Sequence, residues 1–209
     1  MEGKTVTNGS SVSPANLIIR FATPDDLEQI SQIAHVTWNK TYSGTIGAEN
    51  RKEFLDRAYT PENLATAIDV PGHWFYLAEL DNEIIGFGHF LQRYHRTQPR
   101  AELVRLYVLP DYQSLGVGRR ILKTGFAALA EAGIEQCVVS VQETNKLARK
   151  FYERHGFEYH QKQRCRSVLQ CLISRDFARL SKSTRPRHGL DHQSAAGFRL
   201  AFWQVSRKS

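Results

Sequence analysis

Leu106-Tyr-Val-Leu-Pro-Asp-Tyr-Gln-Ser-Leu-Gly-Val-Gly-Arg119 joins a strand, closed by Pro110, to the first turn of a helix through a glycine-containing loop. Inside it lies Gln113-x-x-Gly116-x-Gly118. The physics of such a loop is anion binding. A helix start presents unpaired N–H groups and the positive end of the peptide dipole, and glycines let backbone approach a diphosphate closely. Arg119 and Arg120 add positive charge. Tight turns and close packing also produce paired glycines, so the loop alone leaves both readings open. It lacks the Gly-Lys-Ser/Thr ending of a magnesium-nucleotide loop, which sets a P-loop nucleotidase aside.

Upstream, Ala101–Val108 is the strand that feeds the loop. His73–Leu80 and Glu83–Phe90 are apolar, aromatic-rich runs joined by Asp81-Asn82, a two-residue hairpin signature. Leu17–Ala22 is a first strand, and Thr23-Pro24-Asp25-Asp26 then has a helix start: a Thr cap, Pro at the first position, carboxylates at the positive end. Ile30, Ile33, Ala34 and Trp38 follow at helical spacing. Ala48–Ala58 and Pro61–Ile68 read as two short helices, the second opened by Thr60-Pro61-Glu62. Downstream come an amphipathic helix over Leu115–Glu131, a strand over Gln136–Val141, a helix over Lys146–His155 ended by Gly156, and a strand beginning at Phe157–His160. The order β-α-α-β-β-β-α-β-α-β is that of an α/β protein with a mixed sheet and helices on both faces.

At 209 residues the chain suits one domain with a sizeable core. Residues 1–16 are polar and aperiodic and read as a disordered leader, residues 17–163 as the folded domain, and residues 164–209 as an irregular basic tail. No apolar run approaches a membrane span, and no apolar segment follows Lys4 as in a signal peptide. Cys137, Cys165 and Cys171 fall in neither paired nor metal-ligand spacing, which suggests reduced thiols, a cytoplasmic address and no metal. The net charge is +7, but residues 1–160 hold 17 Lys and Arg against 19 Asp and Glu, while residues 161–209 hold 11 against 2. The positive charge is therefore a property of the tail, and a solvated tail explains it better than nucleic-acid binding.

Several spaced features then accumulate in one order: Val108-Leu109-Pro110, Gln113 to Gly118, the strand Val138–Val141, Asn145, Ala148, and Phe151-Tyr-Glu-Arg-His-Gly-Phe157. In this the chain resembles the GNAT superfamily of N-acetyltransferases, whose acetyl-CoA motif is Q/R-x-x-G-x-G/A, over about Leu17 to His160. Thr41-Tyr42-Ser43-Gly44, Thr60-Pro61-Glu62 and the Glu102–Val108 strand look most like the polyamine acetyltransferase branch. The resemblance implies the acyl-CoA N-acyltransferase fold, with a central, mostly antiparallel sheet. It implies acetyl-CoA as co-substrate and, as acceptor, the primary amine of a small molecule, a polyamine being one candidate. Direct attack in a ternary complex is the implied mechanism. A non-catalytic acetyl-CoA-binding module and a protein lysine or N-terminal acetyltransferase are the alternatives on the same fold, and a homodimer is left open.

The resemblance also carries roles. Gln113, Ser114, Leu115, Gly116, Val117, Gly118 and Arg119 would hold the pyrophosphate through backbone N–H groups, and Leu106, Tyr107 and Val108 would pair with the pantetheine arm. An N–H near Val108 would face the thioester oxygen, where preorganised donors stabilise developing charge. Asn145 would bind pantetheine or neighbouring backbone. Tyr152 would protonate the leaving thiolate, a phenol of pKa about 10 being close enough to a thiol to share a proton; its plain alternative is a helix anchor. An alkyl amine is mostly protonated at neutral pH, so a base is needed. Glu102, eleven positions before Gln113, stands where histone-type members carry theirs; pairing with Arg100 or Arg105 is its structural alternative. His89 and Glu79 are further candidates. Trp38, Tyr42, Trp74 and Tyr76 would line the acceptor pocket, since aromatic faces suit cationic amines, although core packing explains them equally. Glu49, Glu53 and Asp56 would attract a polyamine or be plain helix surface.

Beyond Phe157 the family has two closing strands, the last inserted beside the strand before Asn145. Here the pattern dissolves from Arg164, and Gly197–Val205 is an isolated apolar run. A lineage-specific extension and an altered C-terminus that lacks the last strand both fit.

Overall fold

The computed structural model describes residues 16–95, 98–164 and 199–206. The elements in order are β1 (Leu17–Phe21), α1 (Leu27–Tyr42), α2 (Ala48–Ala58), α3 (Pro61–Ala65), β2 (His73–Leu80), β3 (Glu83–His95), β4 (Gln98–Val108), α4 (Val117–Glu131), β5 (Gln136–Gln142), α5 (Lys146–Arg154), β6 (Glu158–Arg164) and β7 (Arg199–Ser206). The strands form one sheet in the order β1-β2-β3-β4-β5-β7-β6. Only β4 and β5 pair in parallel, so the sheet is mixed and mostly antiparallel.

Alternation along the strands gives the sheet two apolar faces. Ala78, Leu80, Ile85, Phe90 and Leu103 pack under Ile121, Leu122 and Leu129 of α4. Phe75, Leu77 and Phe87 meet Ile30, Ile33 and Trp38 of α1, Phe54 of α2 and Leu64 of α3 on the other.

The departures from the sequence reading have local causes. The helix at Pro61 stops at Ala65, because Ala67 and Ile68 donate to Leu64 and Ala65 in tighter three-residue steps and Asp69 turns to φ 54°. β3 and β4 run beyond their apolar cores, since the ladder continues through Arg93/Arg100, Tyr94/Pro99 and His95/Gln98. α4 starts at Val117 and not Leu115, because Ser114 (φ 72°) and Gly116 (φ 79°) are left-handed and cannot join a helix.

The largest correction concerns the C-terminal segment. Arg199–Ser206 is not part of an irregular tail but a strand of the sheet, set between β5 and β6. Val139 opposes Trp203 on one side and Tyr159 opposes Trp203 on the other. The domain therefore extends past residue 163, and a closing strand is supplied by Arg199–Ser206. The 1–16 leader, apart from Asn16, and the remainder of the 164–209 tail lie outside the described residues.

The entry to α1 is fixed by charge. Asp26, which is buried, accepts from both terminal nitrogens of Arg20 at 2.8 Å and from the Thr23 N–H and hydroxyl at 2.8 Å. The Arg20 fork holds the Asp26 carboxyl down at about 2, against the cost of its burial. A depressed carboxyl stabilises the fold above the unfolded value near 3.9, and that stabilisation disappears as pH falls through about 2. Asp26→Asn is expected to cost about 1–2 kcal/mol in urea denaturation at neutral pH, with the gap to wild type closing toward about pH 2.

Candidate active site

β4 and β5 are bonded only where Ala101, Glu102 and Leu103 oppose Cys137, Val138 and Val139. Beyond that point the strands part. The N–H of Leu109 donates to Ile85 O at 2.9 Å, so the alternation of an antiparallel ladder turns the backbone groups of Leu106 and Val108 away from β3 and toward the gap. Gln113 Nε2 donates to Val108 O at 3.0 Å and ties the loop to this edge.

The loop delivers the edge to the start of α4. Gly116 caps that helix in the left-handed region, no side chain caps it, and no acidic residue occupies its first turn. The N–H groups of Val117, Gly118 and Arg119 precede the first in-helix bond, from Arg120 N–H to Gly116 O at 3.0 Å. Gly118 is packed as well as positioned: a Cβ there would lie 3.1 Å from Phe151 Cζ, so α5 presses against the first turn of α4. This joins the glycine loop to the Phe151–Phe157 segment.

Aromatic hydroxyls gather on the α1 side of the gap. Trp38 Nε1 donates to Tyr107 Oη at 2.9 Å, and Tyr59 Oη donates to the same oxygen at 3.2 Å. Trp38 stacks between Tyr42 and Phe54 with centroids at 4.5 and 4.4 Å. Asn145 accepts the Ala148 N–H at 3.0 Å as the cap of α5, and its side chain also hydrogen-bonds the Tyr42 phenol. Tyr152 is 7% exposed, its ring against Phe151 and Phe157 at 5.2 Å each. Burial, and then the neighbouring phenols, raise the Tyr152 and Tyr42 hydroxyls well above the usual range, with Tyr107 a common cause. Tyr42, Tyr107 and Tyr152 are thus one electrostatic group.

These phenols make a pH prediction. In the unfolded chain Tyr42 and Tyr152 ionise at about 10; in the fold they stay protonated, so their stabilisation is whole below about pH 10 and declines above it. The unfolding free energy in urea is expected to be insensitive to these two groups from about pH 8 to 10 and to fall beyond, by up to about 1.4 kcal/mol per pH unit for each phenol.

The four expected acceptor-pocket aromatics do not come together. Trp38 and Tyr42 stand at the gap, but Trp74 and Tyr76 lie on the opposite face under α4, Tyr76 stacked on Phe21 at 4.6 Å. The period-two alternation of β2 puts 74 and 76 on one face and Phe75 and Leu77 on the other. Glu102 sits where β4 is still bonded to β5, its Oε2 3.1 Å from Arg93 Nε. Glu79 is engaged by Arg20 Nε at 2.7 Å, away from the gap. His89 is buried beside His73 and Phe75. The acids of α2 lie along the helix, with Asp56 paired to Lys52 and Glu53 to Arg57. Sequence reading missed Tyr59 and the Tyr107 side chain; no period or motif marks them, because their meeting depends on how α2 lies over β4.

A family model described as Acetyltransferase (GNAT) family matches residues 30–157. The chain is 28% identical over 147 residues to the spermidine N(1)-acetyltransferase of Thermoplasma acidophilum, a match over 67% of this chain and 87% of that one. It is 28% identical over 151 residues to the mycothiol acetyltransferase of Propionibacterium freudenreichii subsp. shermanii, covering 69% of this chain and 44% of that longer protein. Among solved structures, the PaiA N-acetyltransferase of T. acidophilum in complex with coenzyme A superposes with a TM-score of 0.69, covering 91% of this chain and 99% of that one at 21% identity, a likeness of fold. Among the described residues no helix is long and apolar enough to cross a membrane.

Proposed function

Because the chain belongs to the GNAT acetyltransferase family, we propose that it moves the acetyl group of acetyl-CoA to the primary amine of a small molecule by direct attack. The observation that carries this reading is the open edge of β4 at Leu106 and Val108, which leads through the Gln113–Gly118 loop to an uncapped helix start. Gly116 and the N–H groups of Val117, Gly118 and Arg119 would hold the diphosphate, with Gln113, Ser114 and Leu115 shaping the approach. The outward backbone groups of Leu106 and Val108, with Tyr107 between them, would carry the pantetheine arm, and the Val108 N–H would face the thioester oxygen. Asn145 would set the far wall by capping α5 and holding Tyr42.

Transfer then needs the amine to attack the thioester carbonyl, the C–S bond to break and the sulfur to gain a proton. Tyr152 would supply it. Its raised pKa keeps it protonated through the working range, so it acts as a hydrogen-bond donor until the sulfur, buried in the same gap, becomes basic enough to take the proton. Glu102 lies five residues before Tyr107, about 16 Å along an extended strand. It would receive the amine proton through intervening water. Trp38 and Tyr42 would border the acceptor. Spermidine is the acceptor named for one relative and the first polyamine to test.

A covalent acetyl-enzyme is disfavoured by the one free cysteine among the described residues: Cys137 is buried, and burial raises its thiol. Its reduced state fits a cytoplasmic setting. Initial rates with acetyl-CoA and amine varied together test the mechanism. Intersecting double-reciprocal lines are expected; parallel lines would show an acetyl-enzyme and overturn direct attack.

A further inference from the structure

On the α2 face of the sheet, beside the phenol group, charge accumulates in an arrangement that the fold does not require. Arg105 is 7% exposed and lies 5.0 Å above the Tyr59 ring, whose hydroxyl bonds Tyr107. Opposite Arg105 on β3 is His89; four rungs on, and on the same face, Arg93 stands directly across from Arg100. Like charges opposed across a ladder are destabilising. Glu102, bonded to Arg93, is a carboxylate within the same patch. Arg100 Nε and His89 Nδ1 are buried without a hydrogen-bond partner among the described residues, while His89 Nε2 meets His73 Nδ1 at 3.1 Å. Burial first, then Arg105, His73 and Arg93, hold His89 well below the usual imidazole range, so it remains a neutral member of the patch.

Resting on the acetyl-transfer reading above, we infer that the acceptor amine carries an oxyanion, a carboxylate or phosphate, received by Arg93, Arg100 and Arg105 beside Tyr59. Guanidinium forks match both groups, and burial strengthens such bonds. Arg105 precedes Tyr107 by two residues on the same face of the strand, about 7 Å, which places the oxyanion a few bonds from an amine lying at the Tyr107 end of the gap. A polyamine would approach three guanidiniums, with Glu102 beside them.

The test uses the full chain with matched acceptors: β-alanine against its amide, phosphoethanolamine against ethanolamine, and spermidine. Thiol release from acetyl-CoA gives kcat/KM, and calorimetry in the presence of CoA gives binding independently of turnover. The acid of at least one pair is expected to surpass its neutral counterpart and spermidine by about tenfold or more in both readouts. The pair that responds separates carboxylate from phosphate. In R100Q that ratio falls toward one with acetyl-CoA affinity kept; if R100Q does not fold, R100K, which keeps the charge but loses the fork, lowers it part of the way. Spermidine or the neutral amines used as well as the acids would overturn the inference and leave acetyl transfer standing. Acids that bind without thiol release would leave the anion site and overturn the transfer. An acid preference unchanged in the folded variant, or no amine binding at all, would overturn the assignment to these arginines.

Discussion

Tyr152→Phe is expected to lower kcat by about 10²-fold or more while the KM for acetyl-CoA changes little. The exchange removes one hydroxyl and keeps the ring that packs on Phe151 and Phe157 at 5.2 Å each, so α5 and the contact of Phe151 with Gly118 stay in place. What would be lost is the proposed proton donor at the gap. The pH profile separates this from a packing effect. In wild type the rate should climb toward about pH 10 with the fraction of neutral amine, and show no alkaline decline from Tyr152, whose phenol burial holds above that range. A folded Tyr152→Phe protein with unchanged kcat would remove Tyr152 from the chemistry and reduce it to a helix anchor.

Ending the chain at Arg164 is expected to abolish folding. β7 pairs with β5 from Gln136/Ser206 to Gln142/Leu200 and with β6 from Glu158/Gln204 to Arg164/Arg199. Without it β6 has no sheet partner among the described strands, and β5 presents an open apolar edge at Val139 and Val141. Two exposed ladders favour aggregation over a shortened domain. The truncated chain is expected to be insoluble, or to lack a cooperative urea transition. A truncated chain with near-wild-type stability would show that β7 is dispensable to the sheet.

The same strand marks where sequence reading stopped. The hairpin at Asp81-Asn82, the helix over Ala48–Ala58 and the strand–loop–helix at Leu106–Arg119 were legible because each is specified locally, by turn residues, caps and period. β7 is not: its partners are Gln136–Gln142 and Glu158–Arg164, far back along the chain, and its own run carries only an apolar stretch that several folds would accept. The site divides in the same way. Backbone features of the loop follow from Gly116 and Gly118, whereas the meeting of Trp38, Tyr59 and Tyr107 depends on how α1 and α2 settle over β4. Trp74 and Tyr76 were set beside Trp38 on aromatic character alone, and the alternation of β2 places them on the other face.

Acetyl transfer at the gap between β4 and β5 is read out by free-thiol release from acetyl-CoA across a panel of amines, with wild type and Tyr152→Phe side by side. Thiol release that depends on one class of amine, and falls by about 10²-fold in the variant, is the predicted result. A folded wild-type protein that binds acetyl-CoA and releases no thiol with any amine of the panel would contradict it.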